Sequence, residues 1–492
     1  MDRQNFTTEI PVIIINRIRL DMKRLLLTLS LAFSFILTSN AQRNFVLSSN
    51  ARRDYVRELV DLMQQGRCFD AREFREQYAD KLPVNDKTLD ALYKAHMSMF
   101  FNKPDSAAIY IEDLIANHEL KIGPGISPYY GKLLSIYDSQ QRFSDGVIVC
   151  DKYLDYLRRN PFFRDHDFIR NETNSIEKTK KTFKYRDLIE PRIKIERDNS
   201  GKGKTIRIND SELIRFNASY NGVTAETTFD TGFSAYFTIT RSLADKLGTK
   251  LVNKNQDSVQ MFNGVPRKMR VEVIDQVDFG GIRLHNIPVV VFNDPFTSRL
   301  SDTLNAKMKS SVEKIFNNDQ VIMGLPAMKL VGRFDFDWEK QTVSFPVNNE
   351  KTGPDDSSNI FLIDNNPFVK LKINGLSWTG HLDVGSNDLL TIPFSFYNKN
   401  KKMIEIDSVT QKKPYEYQTL TSSGFNIPHE LVKDANIYLN GRRINYAVGE
   451  VLVLDRNVHF NIFDGVAGVK LFKRLAPRIS FDFDNMRVTA LN

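Results

Sequence analysis

Phe229-Asp230-Thr231-Gly232 and Leu382-Asp383-Val384-Gly385 are the two stretches on which the reading of this chain turns. Each ends an apolar, strand-like run in an acid, one further residue and a glycine, and each follows an Asn-Gly pair, Asn221-Gly222 and Asn374-Gly375. The spacing is constant: 221 to 374, 230 to 383, and Thr238-Ile239 to Thr391-Ile392 are all 153 residues apart. Val277–Leu284 then matches Ile437–Ile444, Val321-Ile322-Met323-Gly324 matches Gly465-Val466-Ala467-Gly468, and Phe334–Trp338 matches Ile479–Phe483. Correspondences in one order over this length imply a duplicated β-rich domain.

The glycine lets the chain turn tightly beside the acid, which places the carboxylate on a loop. Two such halves facing each other would bring Asp230 and Asp383 together across a pseudo-twofold axis. Neighbouring carboxylates cannot both ionise easily, so they share a proton and titrate as a pair. One then acts as base to a water and the other as acid to a carbonyl. That chemistry is peptide hydrolysis without a covalent intermediate.

Upstream of the duplication the texture is different. Leu89, Leu92, Ala95-His96 and Met99 recur near a 3.6-residue period, as do Tyr55-Val56, Leu59-Val60 and Leu62-Met63, so residues 44–188 are expected to be helical. Three breaks recur within them: Gly66-Arg67-Cys68-Phe69-Asp70-Ala71, Asn102-Lys103-Pro104-Asp105-Ser106-Ala107 and Gln141-Arg142-Phe143-Ser144-Asp145-Gly146. Helix-turn-helix units at this interval stack into solenoids, and the region loosely resembles tetratricopeptide repeats; a plain helical bundle fits nearly as well. Residues 189–212, with Gly201-Lys202-Gly203-Lys204, are expected as one linker, and 347–358, with Gly353-Pro354, as another.

At the start, Lys23-Arg24 leads into the apolar run Leu25–Leu37 and then Thr38-Ser39-Asn40-Ala41. This has the form of a cleaved export signal, and the run is short for a membrane span of about 20 residues. Residues 1–41 are therefore expected to be an upstream extension plus signal peptide, and the protein to be exported, periplasmic or secreted, with no membrane span after signal removal. Cys68 and Cys150 either pair in that oxidising setting or stay as two buried thiols. The composition is globular, with 41% hydrophobic and 26% charged residues. The net charge of +8 comes without basic blocks, so nucleic acid is not expected as a partner.

Residues 213–346 resemble a retropepsin-like aspartic protease domain, and 213–492 as a whole resembles the bilobal, pepsin-type pairing of two such domains. The resemblance rests on the order Asn-Gly turn, Phe-Asp-Thr-Gly, a short helix Arg241–Gly248 capped by Thr240, a Gly-Gly hairpin and Ile-Met-Gly. It implies an N-terminal all-α helical-repeat domain followed by two tandem all-β acid-protease-like lobes, 213–346 and 359–492. It also implies catalytic roles for Asp230 and Asp383, and support from Thr231, Gly232, Val384, Gly385, Gly324 and Gly468. A hairpin flap closes over substrate in this family, and Phe262, Asn263 and Gly264 occupy the corresponding place. The chain departs from the family at Phe233, where a small residue is usual, and at Val384, where threonine is usual. The family's two threonines make crossed hydrogen bonds between the loops, and valine cannot make one.

Other chemistries find little support. The seven histidines are scattered, with no His-Glu-x-x-His motif, and no Gly-x-Ser-x-Gly elbow or phosphate-binding glycine loop is present. No metal and no cofactor are expected. Asp337 and Asp482 align but read as exposed or turn-capping carboxylates, and His381 reads as structural. The expected function is an exported aspartic endopeptidase acting on peptide or protein substrates, with the helical domain offering a face to a protein partner. The rival is a catalytically impaired protein that binds peptides or a partner through the same lobes. A third reading makes the helical region the working part.

Overall fold

The computed structural model describes residues 50–160, 166–198, 204–209, 213–251, 257–260, 266–293, 320–347, 358–410, 416–419, 422–426, 428–446, 450–455 and 464–491. The export-signal stretch and the flap residues Phe262, Asn263 and Gly264 lie outside them. The chain divides into two compact units, one essentially the helical region to Ile193, the other the β-rich remainder from Lys194. The architecture is a helical region followed by a β-rich region.

In the helical unit the three sequence breaks are three copies of one turn. Gly66, Asn102 and Gln141 take left-handed backbone, with φ of 73°, 53° and 55°. The next residue's N–H reaches five residues back each time: Arg67 to the Leu62 carbonyl at 2.9 Å, Lys103 to Ser98 at 2.8 Å, Arg142 to Tyr137 at 2.8 Å. This closes each helix in a Schellman motif and starts the following one at Cys68, Pro104 and Phe143. Asp70 and Asp145 accept from Arg67 and Arg142 at 2.7 Å, fixing the entry of the new helix. The small residues Ala71, Ala107 and Gly146 follow because the turn packs tightly; a Cβ on Gly146 would fall 2.2 Å from the Phe183 ring.

The core between these helices holds Ala95, Ile111, Leu114, Leu134, Phe143 and Tyr156. Cys68 and Cys150 are both buried thiols, outside any disulfide, and burial pushes the Cys150 thiol up to about 12. No helix among the described residues is long and apolar enough to cross a membrane.

The β unit is built from hairpins whose turns repeat. Arg215–Tyr220 and Val223–Asp230 are joined by Asn221-Gly222, with φ of 49° and 85°; Asn366–Ile373 and Leu376–Asp383 are joined by Asn374-Gly375, with φ of 50° and 83°. Positive φ at both positions is the type I′ hairpin, which Asn-Gly favours. Both asparagine side chains are used in the same way. Asn221 Oδ1 accepts from the Gln276 N–H at 3.0 Å and its Nδ2 donates to the Leu247 carbonyl at 2.9 Å. Asn374 accepts from Asn436 at 2.8 Å and donates to Met403 at 2.9 Å. A second hairpin turn, Gly280-Gly281 in one region and Asn440-Gly441 in the other, has the same left-handed geometry.

Within the stretch expected as the first linker, two short strands join the sheet. Lys194–Arg197 pairs with Ile282–His285, and Ile206–Asn209 ends in a pairing with Arg215 and Phe216. The alternation Ile206, Ile208 gives these residues a buried face, which a polar linker would lack.

The two β regions are stitched by one antiparallel ladder, Arg333–Asp337 against Arg478–Asp482. Arg333 stands opposite Asp482 and Asp337 opposite Arg478, so each end of the ladder sets an arginine against an aspartate. Both acids cap turns: Asp337 accepts from the Lys340 N–H and Asp482 from the Asn485 N–H, each at 2.9 Å. Above the ladder, Phe229 packs edge-on to Phe334 and Phe336 at 4.8 and 5.4 Å, and Phe472 lies 5.1 Å from Phe481. The residue preceding Asp230 is thereby anchored in the shared core.

Acid should destabilise the helical unit through His96. The imidazole is buried and bonded to the Tyr129 hydroxyl at 2.9 Å. Burial, with the Lys132 charge adding to it, lowers its pKa to about 3 from an ordinary 6.5. The unfolded chain takes up this proton below pH 6.5 and the folded chain does not, so stability is lost as pH falls through that range. The loss by pH 5 is about 2 kcal/mol. Urea unfolding of the His96→Phe variant should lack this component of the pH dependence between 6.5 and 5, whereas the unaltered chain shows it.

Candidate active site

Asp230 ends the strand Val223–Asp230, and Asp383 ends the strand Leu376–Asp383. A short parallel strand lies against each. Val321–Gly324 sets Gly324 opposite Asp230, and Val466–Gly468 sets Gly468 opposite Asp383. The loop that follows each acid then bends back over the glycine of that neighbour. Gly324 N–H donates to the Tyr236 carbonyl at 3.0 Å and Leu325 N–H to Phe233 at 2.9 Å. Gly468 donates to Leu389 at 3.0 Å and Val469 to Ser386 at 2.9 Å.

No side chain fits at either crossing. A Cβ on Gly324 would lie 2.2 Å from the Ala235 oxygen, and one on Gly468 would lie 2.2 Å from the Asp388 oxygen. The apolar strand ending in glycine is thus required by the close approach of two backbones.

The acidic loops meet each other. A Cβ on Gly385 would fall 2.2 to 2.5 Å from the three carboxyl atoms of Asp230. The first carboxylate therefore rests against the second loop, two residues beyond Asp383. Asp230 Oδ1 also accepts from the Gly232 N–H at 2.8 Å, which holds the carboxylate across its own loop. Asp383 is 2% exposed, whereas Asp230 is only partly buried. The two acidic loops therefore meet, and their acids differ in access to water.

Thr231 locks the loops together. Its hydroxyl donates to the Leu382 carbonyl at 2.7 Å and accepts from the Val384 N–H at 3.0 Å. Both bonds flank Asp383, and Thr231 itself is 1% exposed. Val384 is fully buried and has no hydroxyl to offer in return, so the crossing is made from one side. Phe233, the other departure, is a buried side chain whose carbonyl receives Leu325; its role lies in the core and the backbone crossing.

The remaining candidates fall into place around these. Thr231, Gly232, Val384, Gly385, Gly324 and Gly468 all lie within the two crossings or the bridge between them. His381 donates its N–H to the Gly465 carbonyl at 2.8 Å, and its ring lies edge-on to Phe368 at 5.5 Å. Ser386 and Asp388 are not among the residues that the motifs single out. The Ser386 hydroxyl donates to Asp388 Oδ2 at 2.9 Å, just past the second acidic loop. The signal for this pair is the serine directly after Gly385, at the place where the first half has Phe233.

Removing the bridge tests its importance. Thr231→Val keeps the shape but leaves the buried Leu382 carbonyl and Val384 N–H without their hydroxyl partner. It should cost about 1–3 kcal/mol in urea unfolding. Val384→Thr supplies the missing hydroxyl and should gain about 1 kcal/mol or less.

Residues 216–324 match the aspartyl protease family model, a span that includes both Asp230 and Gly324. A retropepsin-like aspartic protease from Rickettsia conorii, known from a crystal structure, is 20% identical. The alignment covers 31% of this chain and 90% of that one, with a TM-score of 0.19. No curated protein matches the chain. The first β region accordingly has an aspartic protease-like fold, and the family match supports a function of the aspartic protease type.

Proposed function

We propose that this chain is an exported aspartic endopeptidase in which Asp230 and Asp383 form one catalytic dyad. The observation that supports this most directly is the seating of the Asp230 carboxylate against Gly385, with Thr231 bonded on either side of Asp383. A dyad needs two carboxylates at one place, and here the second loop is part of the first acid's immediate surroundings.

In this reading the pair holds one proton between two carboxylates. The ionised member takes a proton from water as its oxygen attacks the peptide carbonyl. The protonated member gives its proton to the carbonyl oxygen, forming a gem-diol. Collapse of that intermediate breaks the C–N bond, with a dyad proton passing to the leaving amine. The other acid, ionised since the attack, takes a proton back from a gem-diol hydroxyl as the carboxyl product forms, so each acid returns to its starting state, protons balance and no covalent intermediate forms. The partly open Asp230 suits the side facing water, and the buried Asp383 suits the protonated role, since burial disfavours charge.

The substrate would be an extended segment of a peptide or protein. Export is supported by Lys23-Arg24, the Leu25–Leu37 run and the small residues ending at Ala41. The helical unit, with three like helix-to-helix turns, would offer a face to a protein partner.

The valine at 384 favours one alternative, a protein that grips peptides without cutting them. Digestion of a denatured protein mixture by residues 42–492, from acidic to neutral pH, separates the two. Asp230→Asn and Asp383→Asn should each lower turnover by about 10²- to 10⁴-fold or more. Loss in Asp230→Asn alone would mean that Asp383 is not its partner. A folded protein that binds the peptides and cleaves none at any pH would establish the gripping role.

A further inference from the structure

A second polar site lies beside the strand that carries Asp230. Four strands run in the order Arg215–Tyr220, Val223–Asp230, Val321–Gly324, Phe237–Thr240. Ile322 stands opposite Thr228 on one side and Thr238 on the other. Paired residues share a face of the sheet, and Gln320 immediately precedes the strand Val321–Gly324, two residues before Ile322. Thr228, Thr238 and Gln320 therefore gather around Ile322, and Thr228 is two residues from Asp230 on the same strand.

All three side chains are out of reach of bulk solvent, with exposures of 3%, 0% and 1% for Thr228, Thr238 and Gln320. Yet the hydroxyl oxygens of Thr228 and Thr238, and both amide atoms of Gln320, make no hydrogen bond among the described residues. Native proteins seldom leave one such group unpaired, and ordered water is the common partner of a buried polar group that the protein itself does not satisfy.

The chemistry selects the ligand. Two hydroxyls and a carboxamide each donate and accept, and none carries charge. The charged neighbour, Arg215 opposite Thr228, has the Glu226 carboxylate 3.8 Å away, which balances it. A neutral molecule that both donates and accepts fits this set. We propose that Thr228, Thr238 and Gln320 hold ordered internal water on the face of the sheet that bears Asp230. The water completes the hydrogen bonding of three adjacent strands and ties the Asp230 strand to Val321–Gly324.

The second β region supplies the control. Thr391 stands opposite Val466 and is also buried, with a hydroxyl that makes no bond among the described residues. Two residues before Val466, however, is Asp464, whose carboxylate accepts from the Thr379 N–H at 3.2 Å and whose carbonyl accepts from the Trp378 indole at 2.8 Å. The set of hydroxyls and carboxamide is therefore not repeated there.

Thermal unfolding of the full chain reads out the difference. Thr238→Val removes a hydroxyl that water uses, so it should lower the midpoint of the β unit by about 2 °C, and Thr391→Val should not lower it. A midpoint that is unchanged or raised in Thr238→Val means that the hydroxyl was dry and overturns the proposal. An equal fall in both variants also overturns it, since the loss would then belong to any buried threonine. A crystal structure of the unaltered chain should show water within hydrogen-bond distance of Gln320 and at least one of the two threonines; an ion or an empty site there overturns it.

Discussion

One hydroxyl, that of Thr231, holds the candidate site in its present shape. It spans from the first acidic loop to the backbone on both sides of Asp383, donating to Leu382 and accepting from Val384. Because both partners are main-chain groups, the bridge constrains the path of the second loop and not merely a side chain. The second loop cannot reciprocate, since position 384 is a buried valine. An arrangement that a symmetric pair of threonines would share is here concentrated on one residue. Each bond is worth about 1 kcal/mol net, but losing the hydroxyl would strand two buried backbone groups at once.

The glycines express the same constraint in space. Gly324 and Gly468 lie where a loop crosses a strand within hydrogen-bonding distance, and Gly385 lies where the loops face each other. None of these three relies on left-handed backbone. They are small because another backbone or a carboxylate fills the volume a Cβ would take. Asn221, Asn374 and Asn440 belong to a different class, in which the positive φ of a hairpin turn selects the residue. Turn chemistry sets the hairpins and steric exclusion sets the site.

Both classes leave local patterns in the chain. The Asn-Gly turns, the acids at strand ends and the strands ending in Gly324 and Gly468 are each marked by a few neighbouring residues, so sequence alone suffices to name them. The helical breaks are equally legible, because Gly66, Asn102 and Gln141 each precede a basic residue and, for two of them, an acid at fixed distance. Contact between residues about 153 apart leaves no such mark. The seating of Asp230 on Gly385 and the one-sided reach of Thr231 depend on how the β regions meet. The strands Lys194–Arg197 and Ile206–Asn209 are hidden by the Gly-Lys-Gly-Lys stretch between them, which reads as a break and gives no sign of the pairing on either side.

The proposed dyad and the helical unit would make opposite demands on pH. A carboxylate pair that works through one shared proton needs pH low enough to keep that proton, and crowding of the two charges extends this range upward from the ordinary carboxylate value. The helical unit is held in part by a histidine that must stay neutral, since burial has taken His96 to about 3. Every pH unit below 6.5 that improves protonation of a dyad therefore removes about 1.4 kcal/mol of support from the helical unit, until His96 itself titrates. For a chain with net stability of ordinary size, about 5–15 kcal/mol, that loss is a large share. On the proposed reading, acid that favours the shared proton also weakens the helical unit.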